Sequence, residues 1–126
     1  MGAVERRAKE PADRLLAMFD ALEELFQEEN FCGCPFIKAT SEYPDLNDPI
    51  HQIALKHQRN VHTYVRGLAE RAGAKDPDAL AGQLCLLMRG AITTAQVTGQ
   101  VDAAHQARTL GEMLLNDAID GFIDSV

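Results

Sequence analysis

The residues with the most conspicuous chemistry are Cys32 and Cys34, one residue apart in Phe31-Cys32-Gly33-Cys34-Pro35-Phe36. Two thiolates from a tight turn can hold zinc or copper if histidines converge on them. The spacing argues against a ready-made site. Cys-x-Cys is not the usual zinc-ribbon interval, and His57 and His62, five residues apart, stand about 140° apart around a helix. His51 and His62 share a face but are roughly 16 Å apart along it. No metal or other cofactor is therefore expected. A thiol redox switch at Cys32 and Cys34 lacks a flanking base to lower either pKa.

His57 is the polar residue that interrupts an otherwise apolar stripe between Ala54 and Val61. A buried imidazole needs a partner for its donor and its acceptor, supplied by a ligand or by Tyr43, Tyr64 or a backbone carbonyl. Large side chains are dense near the first bend, Met18, Phe19, Leu22, Phe26, Phe31 and Phe36, and with Val61, Tyr64, Leu84 and Met88 from later segments they join His57 as candidate ligand-binding residues. Aromatics and methionines can line a cavity for a largely apolar molecule. Periodicity alone favours a filled core, because an amphipathic stripe does not say whether the space it faces is filled or hollow. Catalytic patterns are missing: no phosphate-binding glycine loop, no His-Glu-x-x-His, no Glu-x-x-His pair, and neither serine, Ser41 or Ser125, sits in a nucleophile elbow. The chain does not read as an enzyme.

The elements that must position these residues are helices. A first long helix is predicted from about Ala12 to Glu29, with Leu15, Met18, Phe19, Leu22, Leu25 and Phe26 on one face. Gly33 and Pro35 break it, and residues 36 to 43 form a short helix. Asp48-Pro49 is a start signal, since the carboxylate accepts first-turn amide hydrogens and proline fits the first helical position. The second long helix runs from there to Gly73 on a stripe of Ile50, Ala54, His57, Val61, Tyr64 and Leu68, widened by Ile53 and Val65. Asp76-Pro77 repeats the signal for a third helix carrying Leu80, Leu84, Leu87, Ala91 and Ala95 and ending at Gly99. A fourth starts near Val101 or Asp102 and reaches about Ile123, with Ala107, Leu110, Leu114 and Ala118 in one row and Met113, Ile119, Phe122 and Ile123 beside it. With no strand pattern, the class is all-α, a bundle of four long helices plus a short one, and residues 1–126 read as a single domain. Cys85, on the Ala81, Met88 and Ile92 face, reads as a small buried apolar residue.

Composition sets the partners. The 126 residues carry a net charge of −7, with 46% apolar residues and three cysteines. The acids concentrate in residues 15–48, which hold eight carboxylates against one lysine. Such a surface disfavours phosphate contact, so no nucleic acid is expected to bind this chain alone. No apolar stretch reaches the roughly 18 residues of a membrane span. An odd cysteine count without a signal peptide points to free thiols and the cytoplasm.

The order Phe31, Gly33-Cys34-Pro35-Phe36, Glu42, Asp45, Pro49, His57, Leu68, Ala72-Gly73, Asp76-Pro77, Leu80-Ala81, Leu87, Gly90-Ala91 resembles the ligand-binding and dimerisation domain of TetR-family transcriptional repressors. The resemblance covers about residues 13 to 115. It implies an inducer cavity among the helices, and a homodimer in which the last two long helices of each subunit form a four-helix bundle. On that reading Leu87, Ala91, Thr94, Ala95, Thr98, Leu110, Leu114, Ile119 and Phe122 face the second subunit, where small residues of one helix admit the apolar ones of another. The family's helix-turn-helix has no counterpart in residues 1–14, so the chain reads as a truncated sensor half, a fragment or a naturally headless protein. The expected function is to bind a small apolar effector that controls operator binding by the absent domain. The alternatives are a headless interaction protein that pairs with a full-length relative, or a thiol or metal sensor acting through Cys32 and Cys34.

Overall fold

The computed structural model describes residues 10–28, 35–100 and 102–120, apart from the side chain of Phe36. Within them the chain forms five helices and no strand: α1 Pro11–Phe26, α2 Pro35–Glu42, α3 Pro49–Arg71, α4 Pro77–Thr98 and α5 Ala103–Ala118. The four-long-plus-one-short all-α architecture is the one the periodicity predicts.

Local chemistry sets most of the boundaries. Asp48 accepts the Ile50 amide at 2.8 Å and Asp76 accepts that of Ala79 at 3.2 Å, with Pro49 and Pro77 in the first turns behind them. These side chains satisfy amides that the helix itself leaves without partners. At the end of α3, Gly73 takes φ 84°. The Ala74 amide then reaches back to the Ala69 carbonyl and the Gly73 amide to that of Glu70, the paired bonds of a Schellman motif.

Two ends differ from expectation. α1 stops at Phe26, three residues short of Glu29. There the amides of Gln27 and Glu28 bond the carbonyls three residues back, which tightens the last turn and closes the helix. α5 stops at Ala118 rather than reaching Ile123. Ile119 is extended and turns its side chain into the core, while the Ala118 carbonyl accepts the Lys75 amide at 2.9 Å. An ion pair between Lys75 and Asp120, at 3.2 Å, lies beside that bond. The turn between α3 and α4 is thus tied to the end of α5.

α1 packs against α3, α4 and α5, α4 lies between α3 and α5, and α2 rests on α3. Leu15, Leu16 and Phe19 of α1 meet Val65 and Leu68 of α3, Leu80 and Leu84 of α4, and Leu115 of α5 in one buried cluster. The inward row of α5 is Ala104, Ala107, Gly111 and Leu115, so of the predicted Ala107, Leu110, Leu114 and Ala118 row Ala107 turns into the core while Leu110 is exposed. The cause is steric. A Cβ on Gly111 would lie 3.1 Å from Phe19 Cε2, so glycine lets α5 come in over the Phe19 ring and turns Leu110 outward. Ile53, expected to widen the α3 stripe, is exposed.

Candidate functional site

A cavity of about 640 Å³ opens where α1, α2, α3 and α4 meet. α1 contributes Met18, Ala21 and Leu22, and α2 contributes Ile37 and Thr40. The first half of α3 supplies His51, Ala54, Leu55, His57, Gln58 and Val61, while its second half packs into the core through Val65, Leu68 and Ala69. Cys85, Met88, Arg89, Ile92 and Thr93 repeat at three- and four-residue intervals along α4 and so share one face. The volume falls within the range of small-molecule pockets, and the walls are mainly apolar.

The polar groups of the wall are few and mostly tied. Thr40 donates to the Ile37 carbonyl at 2.7 Å, and His51 Nδ1 lies 2.8 Å from the Tyr43 carbonyl oxygen. With its amide oxygen turned to the guanidinium, Gln58 accepts from Arg89 Nη1 at 3.1 Å and Nε at 3.3 Å, a bridge from α3 to α4. Arg89 Nε also lies 3.4 Å from the Cys85 carbonyl oxygen. Burial pushes the Cys85 thiol pKa up, against a smaller downward pull from Arg89. The thiol therefore stays protonated at neutral pH and behaves as an apolar wall group.

Of the residues singled out from sequence for a ligand, Met18, Leu22, His57, Val61 and Met88 meet on this cavity. Phe19, Phe26 and Leu84 do not; they are buried in the core, with the Phe19 ring against Gly111. Tyr64 packs beside that core, and its buried hydroxyl has no hydrogen-bond partner among the described residues. Phe31, Cys32 and Cys34 lie outside the described residues, as does the Phe36 side chain. Sequence reading missed Gln58 and Arg89. The signal for Arg89 was a charge four residues from Cys85, on the Cys85 and Ile92 side of α4. For Gln58 it was the four-residue step from Ala54. His51 and His62 do not come together: His62 Nε2 is 3.0 Å from Asp78 Oδ1, with Arg66 at 3.8 Å from the same oxygen. That hydrogen bond holds the Asp78 carboxyl below its ordinary pKa. Among the described residues no three metal-ligating side chains gather.

A second, shallower groove of about 450 Å³ runs between α4 and α5. Leu87, Ala91, Thr94, Leu110 and Leu114 line it, as expected for one face, together with Leu86, Gly90 and Ala107. Ala95 and Ile119 instead belong to the chain's own core, Thr98 lies exposed with its hydroxyl on the Thr94 carbonyl, and Phe122 is outside the described residues. Around the groove Leu86 is 65% exposed, Leu110 49% and Met113 63%.

The described residues are thus helices enclosing an apolar cavity, with a second apolar groove open between α4 and α5. The family described as tetracyclin repressor-like, C-terminal domain, matches residues 11–110, and the chain belongs to it. It is 32% identical over 96 residues to the HTH-type transcriptional regulator YjdC of Escherichia coli K12, a match covering 74% of this chain and 50% of the relative; YjdC of Shigella flexneri matches to the same extent. The chain spans about half the length of these curated relatives. A TetR-type transcriptional regulator from Streptomyces avermitilis superposes with a TM-score of 0.79 at 31% identity, over 88% of this chain and 60% of that one. SCO4454, a TetR-family transcriptional regulator from Streptomyces coelicolor, shares the fold with a TM-score of 0.86 at 23% identity, over 93% of this chain and 58% of that one. The relatives named are transcriptional regulators, and family and fold place this chain with such regulators rather than with enzymes. Among the described residues no helix is long and apolar enough to cross a membrane.

Proposed function

We propose that residues 1–126 form the effector-binding and dimerisation domain of a TetR-type regulator. A small, largely apolar molecule occupies the cavity between α1, α2, α3 and α4, and a second copy of the chain covers the groove between α4 and α5. The observation that carries this reading is the 640 Å³ cavity, whose size and apolar walls suit a small molecule. The exposed Leu86, Leu110 and Met113 support the dimer, because a monomer would leave that apolar area in water. In the whole regulator the operator would be read by a helix-turn-helix domain. Occupancy would act by favouring one relative placement of the two subunits, which requires that the effector bind the two placements with different affinity. The net charge of −7 leaves these residues themselves unsuited to grip DNA.

Non-denaturing mass spectrometry of the purified chain tests both parts. The expected spectrum shows a two-chain species that carries or captures a small organic molecule and no metal. A monomer would overturn the α4–α5 interface. Stoichiometric zinc or copper would show that the Cys32 and Cys34 segment had been misread.

A further inference from the structure

The chemistry of the effector can be narrowed from Arg89, the one permanently charged group on the cavity wall among the described residues. Arg89 is half-buried in the α4 wall between Cys85, Met88 and Ile92. Elsewhere, Arg66, Lys75 and Arg108 each have a carboxylate within 4 Å, and Lys56, Arg59 and Arg71 stand exposed to solvent. Among the described residues Arg89 is served by neutral oxygens, the Gln58 amide and the Cys85 carbonyl. These engage Nε and Nη1, and no hydrogen bond within the described residues uses Nη2. No described Asp or Glu lines the cavity, although the chain has 19 of them. The acids of α1 nearest in sequence to its cavity residues, Asp20 and Glu23, are not among the lining groups, and α4 carries no acid beyond Asp78 in its first turn.

A guanidinium on a partly desolvated apolar wall, oriented by an amide and with no counter-ion among the described residues, is arranged for a planar anion. We propose that the molecule bound in this cavity is an amphiphilic carboxylate: its carboxylate accepts hydrogen bonds from Arg89, and its apolar body lies against Met18, Leu22, Val61, Met88 and Ile92. The inference rests on the effector-cavity reading and goes beyond it by setting the sign of the ligand's charge and the place of its head group. Gln58 acts as a positioning residue, holding the guanidinium in its α3-facing orientation.

The test compares matched acids and alcohols by isothermal titration calorimetry at neutral pH. The probes are dodecanoate with 1-dodecanol, below the micellar range, and 2-naphthoate with 2-naphthol. At least one acid is expected to bind about tenfold tighter than its alcohol, the scale of one partly exposed charge-assisted hydrogen bond. In Arg89→Gln that preference should fall to about unity while the alcohol's affinity is kept, which also shows that the variant is folded. Arg89→Lys, which keeps the charge but not the two-pronged geometry, should retain part of the preference. Equal affinities of acid and alcohol for the unmodified protein would overturn the anion proposal and leave the cavity reading standing, as would an acid preference that survives Arg89→Gln. Binding of none of the four probes would count against the effector cavity itself and take the proposal with it.

Discussion

Filling a hollow site and overfilling a packed one have opposite signs, and Ala21→Leu distinguishes them. Ala21 sits on the cavity wall between Met18 and Leu22 of α1 and is half-buried. Leucine adds three carbons. At about 0.8 kcal/mol per buried CH₂ their full burial would stabilise by roughly 2.4 kcal/mol. The cavity is open to water on one side, so about half of that is realised, and lost rotamer freedom removes about 0.5 kcal/mol more. The expected net gain is about 0.5–1 kcal/mol, or roughly 2–5 °C in Tm for a chain of this size. The matched control is Ala81→Leu. Ala81 is fully buried in the core, away from the cavity, so the same three carbons should cost about 1–3 kcal/mol there. The assay is urea denaturation of both variants at one protein concentration, which holds any contribution of subunit association fixed. If Ala21→Leu destabilises as much as Ala81→Leu, the space beside α1 is not available to a ligand and the reasoning fails.

The same logic applies where the helices already touch. Gly111→Ala would place a Cβ 3.1 Å from Phe19 Cε2 and 3.7 Å from Leu84 Cδ2. The strain should outweigh the gain in helix propensity and cost about 1 kcal/mol, whereas Gly67→Ala, with nothing within 4 Å, should stabilise by about 0.5–1 kcal/mol; denaturation midpoints decide. Cys85, in a Cys32→Ser/Cys34→Ser background, should react with iodoacetamide roughly tenfold more slowly than an exposed thiol, and more slowly still when the cavity is occupied. Because burial raises its folded pKa, its contribution to stability is complete below the ordinary thiol pKa and is lost as pH rises towards the folded value. A free-thiol rate would show that the α4 wall is open.

The parts legible in sequence were those decided locally. Asp48-Pro49, Asp76-Pro77, Gly73 and Gly99 mark helix ends because a cap or a left-handed residue acts within a turn of itself. The end of α5 was not legible, since Ala118 is held by Lys75 from a distant segment. The site was half legible. Met18, His57 and Met88 lie on inward faces that periodicity reveals. The aromatic Phe19, on the same inward side of α1, fills the core because Gly111 of another helix makes room for its ring. The cavity persists where α1 and α3 offer it small groups, Ala21 and Ala54, a tertiary fact that a single helix pattern does not contain.

The bond from Lys75 to Ala118 and the neighbouring Lys75–Asp120 ion pair have a mechanical consequence. They pin the turn shared by α3 and α4 to the end of α5, while the cavity lies towards the other ends of both helices. The pair works like tongs with a riveted joint. Ala54 lies 17 residues before Arg71, an arm of roughly 25 Å, on which a 5° change in spread moves the jaws by about 2 Å. A modest wedge between the arms would thus be read out as a displacement several times larger than any at the rivet, and α2, which rests on the α3 arm near the jaws, would be carried with it.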